Sequence, residues 1–218
     1  MKFLKRHAYA LVFTLFLMGA NVYSLLKVFV IPSAVSTVSA NTTSSTTASS
    51  TASTSTGKVT KTDTTYKDDN MDIKITTGKT SDTTYYVADI KLSSADYLKT
   101  ALAQNTYGTN ITDTTSSIAQ QNNAIFAING DYYGANQSGY VIKNGQVYRD
   151  TDRNSDYEDL AVYSDGSFKT FNESDTTAQK LVDSGVVNTF AFGPTLVENG
   201  KIAVSENEEV GQAMADNP

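Results

Sequence analysis

The 218-residue chain contains no cysteine and no tryptophan, and its single histidine is His7. Without cysteine there is no disulfide framework, no thiol nucleophile and no zinc cage of cysteine and histidine. A Ser-His-Asp triad is also excluded, because His7 lies near the N-terminus beside a long apolar segment. Chemistry in this chain therefore depends on carboxylates, amides, hydroxyls, tyrosine, lysine or arginine. A bound metal would be a hard cation held by oxygen atoms, such as Ca²⁺.

Charge is distributed unevenly along the chain. Residues 1–40 hold four cations and no acid, which leaves 13 of the 17 cations against all 23 acids in the rest of the chain. The remaining 178 residues therefore carry a formal charge of -10. An acidic body of this kind is a poor partner for nucleic acid, since phosphate binding needs basic patches. We therefore expect that the protein has no nucleic-acid partner and that it acts outside the cell.

Residues 1–40 are predicted to be a signal anchor or a signal peptide. Lys2, Lys5 and Arg6 form a positive flank, and a run of 20 residues without Lys, Arg, Asp or Glu follows it. As a helix rising about 1.5 Å per residue, this run spans the roughly 30 Å hydrocarbon core of a bilayer. Its length favours an uncleaved anchor over a cleaved signal, although Val38-Ser39-Ala40 would serve as a cleavage site. The expected location is the cell membrane, single-pass with an extracellular domain, and the alternative is a secreted protein.

Residues 41–65 form a linker in this interpretation. They contain 17 Ser or Thr and almost nothing apolar. Such a segment cannot bury enough surface to offset the entropy of ordering it. It is typical of a flexible stalk that holds a domain away from a membrane.

Residues 66–218 are predicted to form an α+β domain, built mainly from antiparallel β-sheet with hairpins and short helices. Residues 71–75 alternate with period two and residues 85–92 are rich in strand formers. Residues 124–128 are a continuous apolar run, which predicts a strand buried on both faces. A short helix capped by Thr112 or Asp113 precedes that run, and a second one is expected within residues 175–184.

Three Asx-Gly pairs separate alternating runs and predict hairpins. They are Asn144-Gly145, Asp165-Gly166 and Asn199-Gly200. Each pair supplies the positive φ values that a two-residue type I′ turn requires. Three such signals so close together indicate an antiparallel sheet.

The chemical signal is concentrated in Asn129-Gly130-Asp131-Tyr132-Tyr133, which directly follows the apolar run. Asn can hydrogen-bond sugar hydroxyls, Asp can act as an acid, a base or a cation ligand, and Tyr can stack on a sugar ring. The alternative is a tight turn in which Asn and Asp bond only to the backbone.

Four segments carry a resemblance to a known family. Residues 127–133 are similar to an "NAING-aromatic" element, residues 139–145 to a hairpin that follows it, and residues 191–197 to a "GP-x-L" strand. The terminal Asp216-Asn217-Pro218 resembles the start of an "NPRT" element. Together they resemble phosphodiester glycosidase domains, the family of the lysosomal uncovering enzyme and of bacterial exopolysaccharide-associated proteins. Family domains continue to a glycine-rich "DGGGS" motif that this sequence lacks, so we expect a domain that is incomplete at its C-terminus.

The resemblance implies an exported hydrolase that cleaves sugar-1-phosphodiester linkages of cell-envelope or exopolysaccharide glycans. Within such a site we assign two catalytic residues, Asp131 as the first carboxylate and Asn129 as the amide that orients sugar or phosphate oxygens. Substrate contacts are expected from Gly130, Tyr132, Tyr133, Arg149 and Asn217. Arg149 also has a simpler interpretation, as a solvated hairpin end.

No cofactor is evident and no metal site is predicted. The acidic residues Asp152, Asp156, Glu158 and Asp159 leave Ca²⁺ open, but they lack the spacing and the glycine of an EF-hand loop. A solvated acidic loop is the favoured interpretation of this cluster. The expected partners are a carbohydrate or sugar-phosphate substrate and, through the N-terminal helix, a membrane. A non-catalytic surface module that binds glycan or assists polymer assembly, or an inactive fragment, is the alternative to an enzyme.

Overall fold

The computed structural model describes residues 2–34, 58–131, 133–153, 158–191 and 194–204. The first element is helix α1, Lys2–Phe29. Within it, Ala8–Phe29 is long and apolar enough to cross a membrane, and a signal sequence would meet the same criterion. The C-terminal end of α1 contacts the rest of the chain through Asn110, whose Nδ2 donates to the carbonyl oxygen of Val28 at 2.9 Å.

The described residues contain thirteen short strands, and every pairing among them is antiparallel. With three α-helices and several short 3₁₀ turns, this confirms the α+β class. The strands are β1 Ser33–Ala34, β2 Thr60–Lys61, β3 Thr65–Lys67, β4 Met71–Lys79, β5 Thr84–Leu92, β6 Gly108–Thr109, β7 Val141–Lys143, β8 Gln146–Arg149, β9 Asp159–Tyr163, β10 Phe168–Phe171, β11 Val186–Phe190, β12 Val197–Glu198 and β13 Lys201–Ile202.

The longest strands form a peripheral sheet of order β2-β3-β4-β5. In it β4 and β5 pair over nine residues each, as the alternating and β-branched patterns predict. Most of β5 is exposed, so this sheet contributes little to the core. Strand β2 and the first residue of β3 fall inside the segment that composition assigns to the linker.

The sheet that positions the candidate site has the order β10-β9-β11, with the β7-β8 hairpin beside β11. Side chains of β11 join it to the hairpin. The hydroxyl of Thr189 accepts from Ile142 N at 3.0 Å and donates to Tyr140 O at 3.1 Å. The amide oxygen of Asn188 accepts from Asn144 N at 2.9 Å. These buried polar groups satisfy backbone groups that the short hairpin would otherwise leave unpaired.

The hydrophobic core lies between these strands and helix α3, Ala178–Asp183. Thr177 caps α3 by accepting from Lys180 N, and Gly185, with φ +100°, follows its end. The helix therefore forms within the predicted segment, between an N-cap and a glycine stop. The buried cluster consists of Tyr140, Ile142, Ala161, Ala178, Leu181 and Val186.

All three predicted hairpins are present, but their turns differ. Asn144-Gly145 and Asn199-Gly200 have positive φ at both residues, as a type I′ turn requires. At the second hairpin only Gly166 has positive φ, Gly166 N donates to Tyr163 O, and Tyr163 N donates to Ser167 O. The predicted type I′ turn is therefore wrong there, because this loop has three residues and a glycine bulge.

The strand predicted for residues 124–128 is also wrong. The preceding helix, α2 Thr115–Gln121, ends where predicted, but its cap is Thr114 and not Thr112 or Asp113. The first residue of the apolar run, Ala124, belongs to the C-terminal turn of this helix and not to a strand. Its N–H donates to Ala119 O at 2.9 Å, and the preceding Asn123 adopts φ +51°. The run continues as irregular backbone, and Ile128 is 79% exposed.

Candidate functional site

Asp131 is the sequence-predicted carboxylate, and its side chain is buried, with 6% exposure. One oxygen, Oδ2, accepts from the backbone N–H of Ala191 at 3.1 Å, just beyond the end of β11. The other, Oδ1, faces Lys143 Nζ at 3.5 Å. Asp131 thus bonds beyond its own turn, to residues 12 and 60 positions away, which argues against the simple turn alternative.

Lys143 is the cation of the site and is only 5% exposed. It ends β7, where all three residues are buried. Its ammonium donates to Thr189 O at 2.8 Å and lies 4.1 Å from the centroid of the Phe190 ring. Burial lowers the pKa of Lys143, while the nearby carboxylate of Asp131 opposes that change.

Aromatic rings form one wall beside this ion pair. The Tyr133 ring lies 5.9 Å from Lys143 Nζ and stacks on Tyr107, with centroids 5.3 Å apart. Tyr107 in turn contacts Tyr148 at 5.0 Å. Burial, and then the negative charge of Asp131, raise the pKa of Tyr133, so its hydroxyl stays protonated at neutral pH. An apolar, flat surface with polar edges of this kind suits a sugar ring.

Asn129 and Gly130 are exposed and precede the buried carboxylate. A Cβ atom at Gly130 would lie 3.1 Å from the Phe190 ring, so glycine permits the close approach of this turn to β11. The structure therefore brings Asn129, Gly130, Asp131 and Tyr133 into one neighbourhood. Tyr132 and Asn217 lie outside the described residues.

Arg149 uses its donors on nearby backbone. Its Nε donates to Gly139 O at 2.5 Å, and its Nη1 donates to Tyr133 O at 3.0 Å and Asn136 O at 2.5 Å. The guanidinium therefore holds the 133–139 segment together, and it is partly buried and not a solvated hairpin end. A substrate contact through its remaining donors stays a prediction.

A second buried charge cluster lies nearby and consists of Arg153, Asp159 and Glu173. Arg153 forms a close ion pair with Asp159, which is fully buried, and its Nε lies 3.8 Å from Glu173 Oε2. Glu173 also accepts from Tyr140 N at 2.5 Å and from Arg153 N at 2.6 Å. Burial, and then interaction with Glu173, raise the pKa of Asp159 to about 8, although Arg153 acts in the opposite direction.

The interpretation of Asp159 as part of a solvated acidic loop is therefore wrong, because the ion pair with Arg153 draws its side chain into the interior. Its neighbour Glu158 points elsewhere and accepts from the Thr195 hydroxyl at 2.7 Å. Asp156 lies outside the described residues. No group of three or more acidic or histidine side chains with metal-binding geometry occurs in the part of the chain that the structure describes.

Sequence reasoning missed three residues of this site: Lys143, which pairs with Asp131, Phe190, which lies against Lys143, and Tyr107, which stacks on Tyr133. One signal was available for Lys143, a charged residue that directly follows Val141 and Ile142 in an otherwise apolar strand. A charge in such a run is rarely buried without a partner or a function. Nothing in the local sequence identified Tyr107, because only tertiary packing places its ring on Tyr133.

Part of the chain is similar to a known protein family. Residues 122–215 match the phosphodiester glycosidase family model. The resemblance inferred from the motifs is thus confirmed for this segment, which contains Asp131, Lys143 and strands β7 to β13. We call residues 122–215 the phosphodiester glycosidase segment below.

One curated relative is similar to part of the chain. The SPbeta prophage-derived uncharacterized protein YomE of Bacillus subtilis (strain 168) is 31% identical over 99 residues. The alignment covers 44% of this chain and 15% of YomE, so the chain spans only a small part of that relative's length. No solved structure matches the chain.

Proposed function

We propose that the phosphodiester glycosidase segment hydrolyses the bond between the anomeric carbon of a sugar and a phosphodiester oxygen. The observation that supports this most directly is the buried carboxylate of Asp131, held between Ala191 N–H and Lys143 Nζ inside the matching segment. Glycosidases generally place two carboxyl groups beside the sugar, one as the acid for the leaving oxygen and one as the base or nucleophile. Asp131 is the proposed base or nucleophile, and the Tyr133 ring and the exposed Asn129 are the proposed contacts to the sugar.

In the proposed reaction the bond between the anomeric carbon and the phosphate oxygen breaks, and the oxygen of a water molecule adds to that carbon. The products are a free sugar and a phosphate monoester. Asp131 either takes the proton of the attacking water or attacks the anomeric carbon itself, as the two glycosidase geometries allow. Because a phosphate ester is a good leaving group, protonation of the leaving oxygen is less demanding here than in an ordinary glycoside.

The other sequence-predicted residues have supporting roles in this proposal. Asn129 orients hydroxyl or phosphate oxygens, Gly130 gives the ligand access to the turn, and Tyr133 packs on the sugar ring. Tyr132, Arg149 and Asn217 are proposed contacts for the rest of the substrate.

We further propose that the enzyme is exported and acts on cell-envelope or exopolysaccharide linkages. Support comes from α1, which is long and apolar enough to serve as an anchor or a signal, and from the acidic balance of the rest of the chain. We place the anchor in residues 1–40, the linker in 41–65 and the catalytic domain from residue 66 onward.

The test is an assay of the full chain in detergent on an N-acetylglucosamine-1-phosphodiester and on a UDP-sugar, with free reducing sugar as the readout. We expect release by the wild-type chain and a loss of at least about 100-fold in Asp131→Asn, the scale of a single general base or nucleophile. The anomeric configuration of the first product distinguishes Asp131 as base from Asp131 as nucleophile.

Asp165→Asn is the matched control, because Asp165 is an exposed hairpin carboxylate of the same segment that accepts from Ser167. It should leave turnover unchanged. Glycan binding without sugar release by the folded wild-type chain would contradict the catalytic proposal and support a binding module. Full activity in Asp131→Asn would remove Asp131 from the mechanism.

A further inference from the structure

Lys143 is a buried cation whose position does not depend on Asp131. Its Nζ is fixed by the 2.8 Å hydrogen bond to Thr189 O and by the face of the Phe190 ring at 4.1 Å. Thr189 is itself fully buried and bonds to both Ile142 N and Tyr140 O. The ammonium is therefore held by buried groups of the core, and it points toward the polar turn that carries Asp131.

The two oxygens of Asp131 are held unequally. Oδ2 accepts a hydrogen bond of ordinary length from Ala191 N at 3.1 Å, whereas Oδ1 has a long contact of 3.5 Å with Lys143 Nζ. A 3.5 Å contact is electrostatic more than a strong hydrogen bond. Oδ1 therefore keeps lone pairs for a water molecule or an anomeric carbon.

From this geometry we infer that Lys143 is a positioning residue that holds the carboxylate of Asp131 in place and directs its Oδ1 toward the reacting atoms. The inference rests on the proposed function for its kinetic consequence, but not for the charge coupling between the two residues. Burying a carboxylate without a compensating charge or hydrogen bond is unfavourable. Lys143 supplies that charge, so its removal should let the side chain of Asp131 leave this position.

Other titratable groups surround the pair and define the background of any pH measurement. Tyr133 faces it from the turn after Asp131, and Asp159 senses the charge of Asp131 from β9. Asp159 is compensated by its own partner, Arg153. Among the residues that the structure describes, Lys143 is the cation that lies within ion-pair distance of Asp131.

The first test is the measurement of kcat and KM for the full chain with Lys143→Met and Lys143→Arg. Lys143→Met should lower kcat at least about tenfold with little change in KM, because a misplaced carboxylate at Asp131 affects the chemical step. Lys143→Arg keeps the charge and should restore most of that loss. A wild-type kcat in Lys143→Met would overturn the inference.

Lys169→Met is the matched control for the same substitution. Lys169 is also a strand lysine over an aromatic ring, with Nζ 4.8 Å from the centroid of Tyr163, but it is exposed. The kcat of this variant should equal that of the wild type. A loss as large as that of Lys143→Met would show a general effect of lost positive charge and would overturn the specific role of Lys143.

The second test does not need activity or a lysine variant. The ¹⁵N signal of Lys143 Nζ is titrated in the wild-type chain and in Asp131→Asn. Loss of the negative partner should lower the pH at which Lys143 titrates, since Asp131 stabilises the ammonium. An unchanged titration would overturn the coupling. If the wild type releases no sugar, the proposed function fails, yet this titration still decides whether the two residues control each other's charge.

Discussion

The two buried charge clusters of the phosphodiester glycosidase segment differ in their balance. One contains a single cation and a single acid, Lys143 and Asp131, both about 5% exposed. The other contains one cation, Arg153, between two acids, Asp159 and Glu173. The first cluster is neutral when both groups are ionised, whereas the second then carries one excess negative charge.

This difference fits two separate roles, the proposed catalytic role for the first cluster and a structural role for the second. The excess acid in the second cluster is relieved by a proton, which explains why the pKa of Asp159 is raised to about 8. Glu173 in that cluster binds two backbone N–H groups and so fixes the chain around Tyr140 and Arg153. The first cluster also makes two backbone hydrogen bonds, through Asp131 and Lys143, but it borders the exposed Asn129, which suits the reactive site proposed above.

Glu173→Ala should have the largest effect on stability. This substitution removes the acceptor for Tyr140 N and Arg153 N, and it removes one of the two acidic partners of the Arg153 side chain. We therefore expect a loss of about 3–5 kcal/mol in the free energy of unfolding. Urea denaturation of the full chain in detergent measures it. Asp175→Ala, at an exposed acid of the same turn, should stay within about 0.5 kcal/mol. Equal losses in the two variants would refute a structural role for the second cluster.

Lys143→Met should cost about 3 kcal/mol at neutral pH, because it leaves the carboxylate of Asp131 buried without a cation. Adding Asp131→Leu should recover part of the lost stability, since neither charge then remains. Double-mutant analysis of unfolding free energies measures this coupling, and strictly additive losses would argue against a balanced pair.

The second cluster should make stability depend on pH. The pKa of Asp159 rises from its ordinary value of 3.8 to about 8 on folding, so the folded chain binds a proton that the unfolded chain releases between these values. This stabilisation is fully present below about pH 4 and is lost as the pH rises through about 8, with a slope of at most about 1.4 kcal/mol per pH unit.

Asp159→Asn is the variant that checks this slope. It cannot release the proton, so its unfolding free energy should vary less than that of the wild type between pH 4 and 8. Urea midpoints across that range provide the comparison. Parallel curves for the two proteins would show that Asp159 is ionised in the folded state throughout.

The smallest effect is expected in the turn that supports Lys143. Asn144→Gly keeps the positive φ but removes the side-chain bonds to Thr100, including the 2.8 Å bond to its carbonyl, and should cost about 1 kcal/mol. Asn199→Gly is the matched change in the other type I′ turn, which is exposed, and should stay within about 0.5 kcal/mol. Chemical denaturation measures both, and equal costs would mean that the Thr100 contacts add nothing.

Local patterns predicted much of the secondary structure correctly. Asn144-Gly145 and Asn199-Gly200 form the expected turns because positive φ depends almost entirely on the two residues concerned. The strand predicted for residues 124–128 does not form, because a strand needs a neighbouring strand to pair with, and an apolar run does not specify one. Asp131 was recognised as a candidate from its turn, but its partners Lys143 and Ala191 lie 12 and 60 residues away.

The sequence by itself determined the apolar N-terminal helix, the hairpins and the family of residues 122–215, since these depend on composition and on spacings within short segments. The tertiary structure alone decided which charges are buried and what neutralises them. Lys143, Arg153 and Asp159 are ordinary surface residues by type, and their burial follows from how β7, β9 and β11 pack together. Burial makes an unpaired charge unfavourable in free energy, and for this reason the buried charges of Lys143 and Asp131 depend on each other.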